Sequence, residues 1–348
     1  MSNHNPFVKK VLALFKKTHE EDKPKYPAGL SAKYTIEDKT LGVGSFAVVK
    51  ECTEISTGKK YAVKIILKKV IAGKQQMLDS ELDILTKVRH SHIVSLHDIF
   101  ESDDAVYIVT DLCTGGELFQ RIVERGTYTE ATAADLVRQM LEGLVYLHSE
   151  GIVHRDIKPE NLLFKTPEED ADLLITDFGL SKLLKNNNEI LTTACGTPGY
   201  VAPEVLLGSG HGKPVDIWSV GVIMVRERER ERERNYQNEL FDCIMKGRYD
   251  FEDEYWGDIS PEAKNLINRL LTYDPKERVT AEEALMDVWI VSDENKDIDL
   301  APNVRKGFNS RRTLKSIFTA VAAINKLKIG DHSDDLLEVD EESDKESK

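Results

Sequence analysis

Apolar residues along this chain gather in short runs of two kinds, one spaced as strands and the other as helices. Tyr61-Ala62-Val63-Lys64 has the two-residue alternation of a strand, and Val106-Tyr-Ile-Val-Thr110 has the apolar density of a buried one. Leu173-Leu-Ile-Thr-Asp177 is a shorter apolar strand that ends on a carboxylate. Helical spacing shows in Leu78, Leu82 and Leu85, at i, i+4 and i+7 of Met77–Lys87. It shows again in Leu136, Met140, Leu144 and Leu147 within 131–148, a helix that Gly151 closes. Near the start, Phe7, Val11, Leu14 and Phe15 share a helix face of the basic stretch Phe7–Lys17. A packing leader and a membrane-surface helix both fit that stretch. Pro24, Pro27 and Gly29 break any helix, so the folded domain is expected to start near Tyr34, after a leader over 1–33.

Composition narrows the function classes. A chain of 348 residues has room for one domain of about 250 residues plus tails. Its net charge of -14 disfavours bulk attraction to nucleic acid or anionic lipid. Cys52, Cys113, Cys195 and Cys243 form no C-x-x-C pair, which favours reduced thiols over zinc or disulfides. No apolar run approaches the roughly 20 residues of a membrane span. Ser2 stands where N-myristoylation needs glycine. These features predict a soluble cytoplasmic protein. Gly208–Lys213 resembles a Walker loop but lacks its first glycine, and Pro214 follows the lysine.

The chemistry concentrates in His154-Arg155-Asp156-Ile157-Lys158-Pro159-Glu160-Asn161, followed sixteen residues later by Asp177-Phe178-Gly179. The first motif resembles the catalytic loop of the eukaryotic protein kinases. Phosphoryl transfer to a hydroxyl requires an oriented nucleophile, a held γ-phosphate and neutralised charge. Asp156 suits the hydroxyl proton, Lys158 the γ-phosphate, and Asn161 and Asp177 offer oxygens to a hard Mg2+ ion. The resemblance extends over about 34–330. It implies a two-lobed α+β fold over 34–290, with a small antiparallel β-rich N-lobe (34–112) and a mostly helical C-lobe (113–290).

Other positions take their expected roles from the same resemblance. Leu41-Gly42-Val43-Gly44, continuing to Val49, matches the glycine-rich loop over ATP. Lys64 matches the phosphate-holding lysine, and Glu81 its carboxylate partner. Asp111 and Cys113 lie in the hinge that meets adenine, whose faces Val49, Ala62 and Leu163 would sandwich, with Thr110 guarding the back pocket. Glu117, in Gly115-Gly-Glu-Leu-Phe119, matches the glutamate that meets the ribose and a substrate arginine. Leu191–Glu204 closely resembles the activation segment of the calcium/calmodulin-dependent kinases, type I-like. On that match Thr193 is the site phosphorylated by an upstream kinase, to pair with Arg155. Thr197 lies in the segment facing substrate and bonds toward Asp156 and Lys158, and Glu204 pairs with Arg278. Lys158 marks Ser/Thr rather than Tyr as acceptor, in protein substrates with upstream basic residues.

One segment departs from the pattern. Asp216–Val225 matches the start of the long central helix of the C-lobe, with Ile223 at one of two apolar positions that support the catalytic core. An alternating Arg-Glu run then occupies 226–234, with Glu227 at the other position. Burying such charges costs several kcal/mol unless each is paired. The helix ends early and the run loops into solvent, the C-lobe is weakened, or the run is a mis-translated intron or sequence error. The second option leaves a non-catalytic calmodulin-binding scaffold as the alternative function.

Between Val304 and Ile329 the chain carries seven Lys/Arg and no carboxylate. Leu314, Phe318, Val321 and Leu327 then fall at relative positions 1, 5, 8 and 14 of a basic amphipathic helix. A docking helix reads the same way from spacing alone. After a kinase domain of this type, the resemblance implies calcium-loaded calmodulin as the partner. It also implies an autoinhibitory and calmodulin-binding segment over 291–330, and residues 331–348 form an acidic tail expected to be disordered.

Overall fold

The computed structural model describes residues 26–43, 47–71, 75–124, 128–184, 186, 189–193, 195–226, 256–292 and 300. The Arg-Glu run beyond Arg226, Gly44 and the four expected calmodulin anchors (Leu314, Phe318, Val321 and Leu327) lie outside these residues, as does the basic N-terminal stretch.

Helix α1 (Ala28–Lys33) comes first among the described residues, and it corrects the expectation that prolines and glycine suppress helix before Tyr34. Pro27 stands at its N-cap, where a missing N–H costs no helical bond. Leu30, fully buried, fixes the helix against the sheet, alongside Tyr34, Val48, Val63 and Ile65. Packed structure therefore begins before Tyr34.

Five antiparallel strands follow: β1 (Tyr34–Val43), β2 (Ala47–Glu54), β3 (Lys60–Leu67), β4 (Leu96–Glu101) and β5 (Ala105–Thr110). Their order is β1-β2-β3-β5-β4. Register sets Val49 opposite Lys64, and Ala62 opposite Thr110, so the expected adenine contacts occupy neighbouring strands. Helix α2 (Gln75–Lys87) turns Leu78, Ile84 and Leu85 inward and leaves Asp83 exposed.

The second lobe is largely helical. Among the described residues it comprises α3 (Leu118–Glu124), α4 (Glu130–Ser149), α5 (Pro203–Leu206), α6 (Pro214–Arg226), α7 (Pro261–Leu270), α8 (Ala281–Leu285) and α9 (Val288–Val291). Four two- or three-residue strands intervene after α4: β6 (Ile152–Val153), β7 (Leu162–Phe164), β8 (Leu173–Ile175) and β9 (Lys182–Leu183). Leu136, Met140, Leu144 and Leu147 line the buried face of α4, as their spacing predicts. Thr129 caps the N-terminus of α4 by accepting the Thr132 N–H. Gly151, at φ 73°, makes the left-handed turn into β6 that other residues rarely adopt. The β6–β9 and β7–β8 pairs hold the two ends of the loop between them in fixed positions.

Candidate active site

Residues 154–161 connect β6 to β7, and their shape depends on one buried carboxylate. Asp216, in the first turn of α6, is fully buried and accepts the backbone N–H groups of His154 (2.9 Å) and Arg155 (2.8 Å). His148 Nε2 lies 2.9 Å from the same carboxylate. Burial alone would raise the Asp216 pKa, but the His148 hydrogen bond and nearby imidazoles outweigh it and hold the group ionised. These bonds support Arg155 at φ 66°, a left-handed conformation that costs a non-glycine residue energy. Sequence reasoning gave Asp216 and His148 no role. The available signal is an Asp between apolar neighbours, Val215 and Ile217, because a charge on a buried helix face needs partners.

The strained turn delivers Asp156 into a dense polar cluster. Its Oδ1 accepts the Thr197 hydroxyl at 2.8 Å, and its Oδ2 accepts Lys158 Nζ at 2.6 Å and Asn161 Nδ2 at 3.1 Å. Lys158 Nζ also donates to Thr197 Oγ1 at 2.9 Å. The structure thus brings together Asp156, Lys158, Asn161 and Thr197. Thr197 is anchored in turn through Tyr200, whose carbonyl accepts the Ser219 hydroxyl of α6 at 2.9 Å.

A second cluster faces the sheet. Lys64 Nζ donates to Glu81 Oε1 at 2.5 Å and to Asp177 Oδ1 at 3.2 Å, linking β3, α2 and the segment after β8. Burial would lower the Lys64 pKa, yet Glu81 and then Asp177 outweigh it and hold it above the ordinary value. Lys64 is also the main reason that the Asp177 carboxyl falls to about 2. Asp177 sits at φ 63° with its side chain half exposed, while Phe178 is buried edge-on to His154 at 5.1 Å.

These oxygens fit a hard divalent cation. The Asp177 carboxylate stays ionised, and the Asn161 amide nitrogen is committed to the Asp156 carbonyl and carboxylate, which directs its oxygen elsewhere. Leu41, Gly42, Val49 and Leu163 are half-buried, and Ala62 is buried. Asp111 turns its carboxylate to the Ser95 N–H (3.0 Å) and His97 Nε2 (2.7 Å). Cys113 is half-buried, and burial pushes its thiol up to about 12. Glu117 is half-buried and bridges to Leu163 by backbone pairing. Thr193 is exposed, and Arg155 Nε is bonded to the Leu180 carbonyl at 2.7 Å.

Away from the cleft, Arg278 and Glu204 form a buried bidentate pair at 2.7 and 3.0 Å. Among the described residues, no helix is long and apolar enough to cross a membrane.

Comparisons with known proteins identify the family. The protein kinase domain family matches residues 35–290. The chain is 48% identical over 302 residues to calcium/calmodulin-dependent protein kinase cmkB of Emericella nidulans, covering 83% of this chain and 75% of that one. It is 41% identical over 329 residues to the type 1 enzyme of Macrobrachium nipponense, covering 92% and 94%. To the type 1B enzyme of Homo sapiens it is 41% identical over 321 residues, covering 90% of each.

Proposed function

Because this chain belongs to the protein kinase family, in its calcium/calmodulin-dependent type 1 branch, we propose a specific division of labour for the residues above. It is a serine/threonine protein kinase, using ATP with a divalent metal. Asp156 orients the acceptor hydroxyl and takes its proton, and the Thr197 and Lys158 bonds fix the carboxylate for that task. Lys158 holds the γ-phosphate, and Lys64, set by Glu81, holds the inner phosphates. Asn161 and Asp177 hold Mg2+, which when bound neutralises charge on the phosphate oxygens. The adenine lies between Val49, Ala62 and Leu163 against the hinge at Asp111 and Cys113, beneath Leu41, Gly42 and Gly44. Glu117 meets the ribose and an arginine upstream of the acceptor.

Regulation completes the reading. Phosphorylation of Thr193 by an upstream kinase adds a dianion that draws Arg155 from the Leu180 carbonyl and orders the segment. The segment from about 291 to 317 restrains the cleft. Calcium-loaded calmodulin binds Leu314, Phe318, Val321 and Leu327 and shifts the population to the open form. The relatives' names support calmodulin as partner.

The single observation that carries catalysis is the Asp156 carboxylate, bonded on both oxygens within one cluster with Lys158, Asn161 and Thr197. The non-catalytic scaffold finds no support, since the Lys64–Glu81 pair is formed and Asp156 is in place. Asp156→Asn should abolish phosphotransfer while nucleotide affinity changes little. Turnover within about tenfold of wild type would refute the assignment.

A further inference from the structure

The outer face of the N-lobe sheet carries a polar contact that reaches the hinge. Lys64 of β3 points toward Glu81 and Asp177, and alternation along the strand turns Tyr61 and Val63 to the opposite face. Tyr107 and Val109 of β5 lie on that outer face too. His97 of β4 joins them, its ring edge-on to the Tyr61 ring with centroids 4.6 Å apart. From there His97 Nε2 donates to Asp111 Oδ1 at 2.7 Å. Asp111 directly follows β5, so its carboxylate is gripped on the side of the sheet away from Lys64. Its carbonyl points the other way. It accepts the Thr110 hydroxyl at 3.4 Å, and Thr110 stands opposite Ala62 in the strand register.

Asp111 is tied at three points. Its backbone N–H donates to the Ser95 carbonyl at 3.1 Å, the Ser95 N–H returns a bond to Oδ2 at 3.0 Å, and His97 holds Oδ1. Two bonds to one residue leave the Asp111 peptide free to rotate about the line through them. A third, from a different residue, removes that freedom. Burial would raise the Asp111 pKa, but the His97 and Ser95 hydrogen bonds outweigh it and hold it below the ordinary value. The ionised carboxylate only accepts, so Nε2 of His97 is the donor. Strand β4 is itself pinned one residue on, where Asp98 accepts Lys33 Nζ at 2.7 Å and the Tyr34 hydroxyl. Lys33 ends α1 and Tyr34 opens β1, so His97 projects from a strand fixed at its back.

We propose that His97 is a positioning residue for the nucleotide base: it holds Asp111 from the outer face, fixes the angle at which the hinge main chain meets the purine edge, and so sets a preference for adenine over guanine. This inference rests on the placement of adenine at the hinge proposed above. Adenine carries an amine donor where guanine carries a carbonyl acceptor. A carbonyl aimed rigidly at that position attracts the first and repels the second, whereas one free to rotate does neither well. Asp111 is not among the residues assigned to the phosphates or the acceptor hydroxyl, so the effect of His97 falls on base recognition and not on transfer.

The test measures affinities for MgADP and MgGDP by calorimetry on full-length wild type, His97→Ala, His97→Gln and Lys33→Ala, at saturating calcium/calmodulin. The two diphosphates differ only in the base, so the ratio of their dissociation constants reports the hinge and cancels the phosphate contacts. His97→Ala should weaken MgADP about three- to tenfold, as suits a partly exposed hydrogen bond to a charged group, and leave MgGDP within about twofold. His97→Gln, whose amide N–H can reach the same carboxylate, should restore the ratio to within about twofold of wild type. Lys33→Ala, which frees Asp98 on the same strand without touching Asp111, should leave the ratio unchanged. Turnover at saturating MgATP should stay within about twofold in His97→Ala. The ratio refers to binding-competent protein, so partial unfolding does not obscure it. An unchanged ratio in His97→Ala overturns the positioning role alone, as does an equal loss for both nucleotides or a His97→Gln variant that behaves like His97→Ala. The same drop in Lys33→Ala makes the effect a property of the whole strand and also overturns it. A wild type that binds MgADP and MgGDP equally overturns the placement of adenine at the hinge, and the role of His97 with it.

Discussion

Asp177 sets the pH dependence expected of the proposed nucleotide cleft. Its carboxyl falls from the ordinary 3.8 to about 2, chiefly through the Lys64 charge. A depressed pKa means that the interaction is fully present above pH 4 and is lost only as pH falls through about 2. Mg2+-dependent nucleotide affinity should therefore show no titration of this group between pH 8 and pH 5. Asp177→Asn should weaken it at least about tenfold across that range. A midpoint near pH 6 that disappears in the variant would show that Lys64 does not hold the carboxylate ionised. The resemblance to the kinases implied the Lys64, Glu81 and Asp177 cluster, because each residue lies in a strand, helix or motif that the family shares. Asp216 was not legible in the sequence, because its value lies in three bonds to His148, His154 and Arg155 that only the folded chain brings together.

Among elements, the contact between α5 and the chain before α8 depends on a saturated guanidinium. All five N–H donors of Arg278 are used: two on Glu204, and one each on the carbonyls of Thr272, Tyr273 and Pro214. Its plane also lies 4.9 Å from the Trp218 ring. The resemblance to the kinases implied the Glu204 pair, but the three carbonyls could not be read from the sequence, since only the folded chain brings these main-chain positions to Arg278. Lysine has three donors and no fork, so Arg278→Lys should leave at least two buried acceptors unmet. A loss of about 2–4 kcal/mol is expected, or roughly 5–12 °C in melting temperature. A shift under about 2 °C would show that the carbonyl bonds add nothing. The α6–α7 contact is tested differently. A Cβ at Gly221 would lie 2.7 Å from Leu271 Cδ2 and 3.0 Å from Leu270 Cβ. Gly221→Ala should cost about 1–3 kcal/mol in chemical denaturation despite its better helix propensity. Helix α1 escaped prediction for a related reason: propensity disfavours Gly29, but the burial of Leu30 decides the outcome.

At the scale of the whole molecule, the burial of Leu300 sets the division between domain and tail beyond α9. Periodicity could not locate that division, because a single buried leucine makes no repeat. A chain ending after Leu300 keeps its place in the C-lobe filled, whereas one ending after Ser292 exposes Tyr128, Val137 and Trp289 around it. Burying one leucine side chain is worth about 2 kcal/mol, which in a domain of this size is roughly 4–8 °C of melting temperature. Both truncations should have phosphotransfer activity independent of calmodulin, since each lacks Leu314 to Leu327. Only the shorter should melt earlier, by about that amount, while the longer matches the full chain within about 1 °C. If both melt together, Leu300 adds nothing to the fold and the domain closes with α9. If the longer one remains inhibited, the restraint on the cleft lies at or before Leu300 rather than in the basic segment. The two readings assign different work to the same few residues, and melting temperature and activity distinguish them in one pair of proteins.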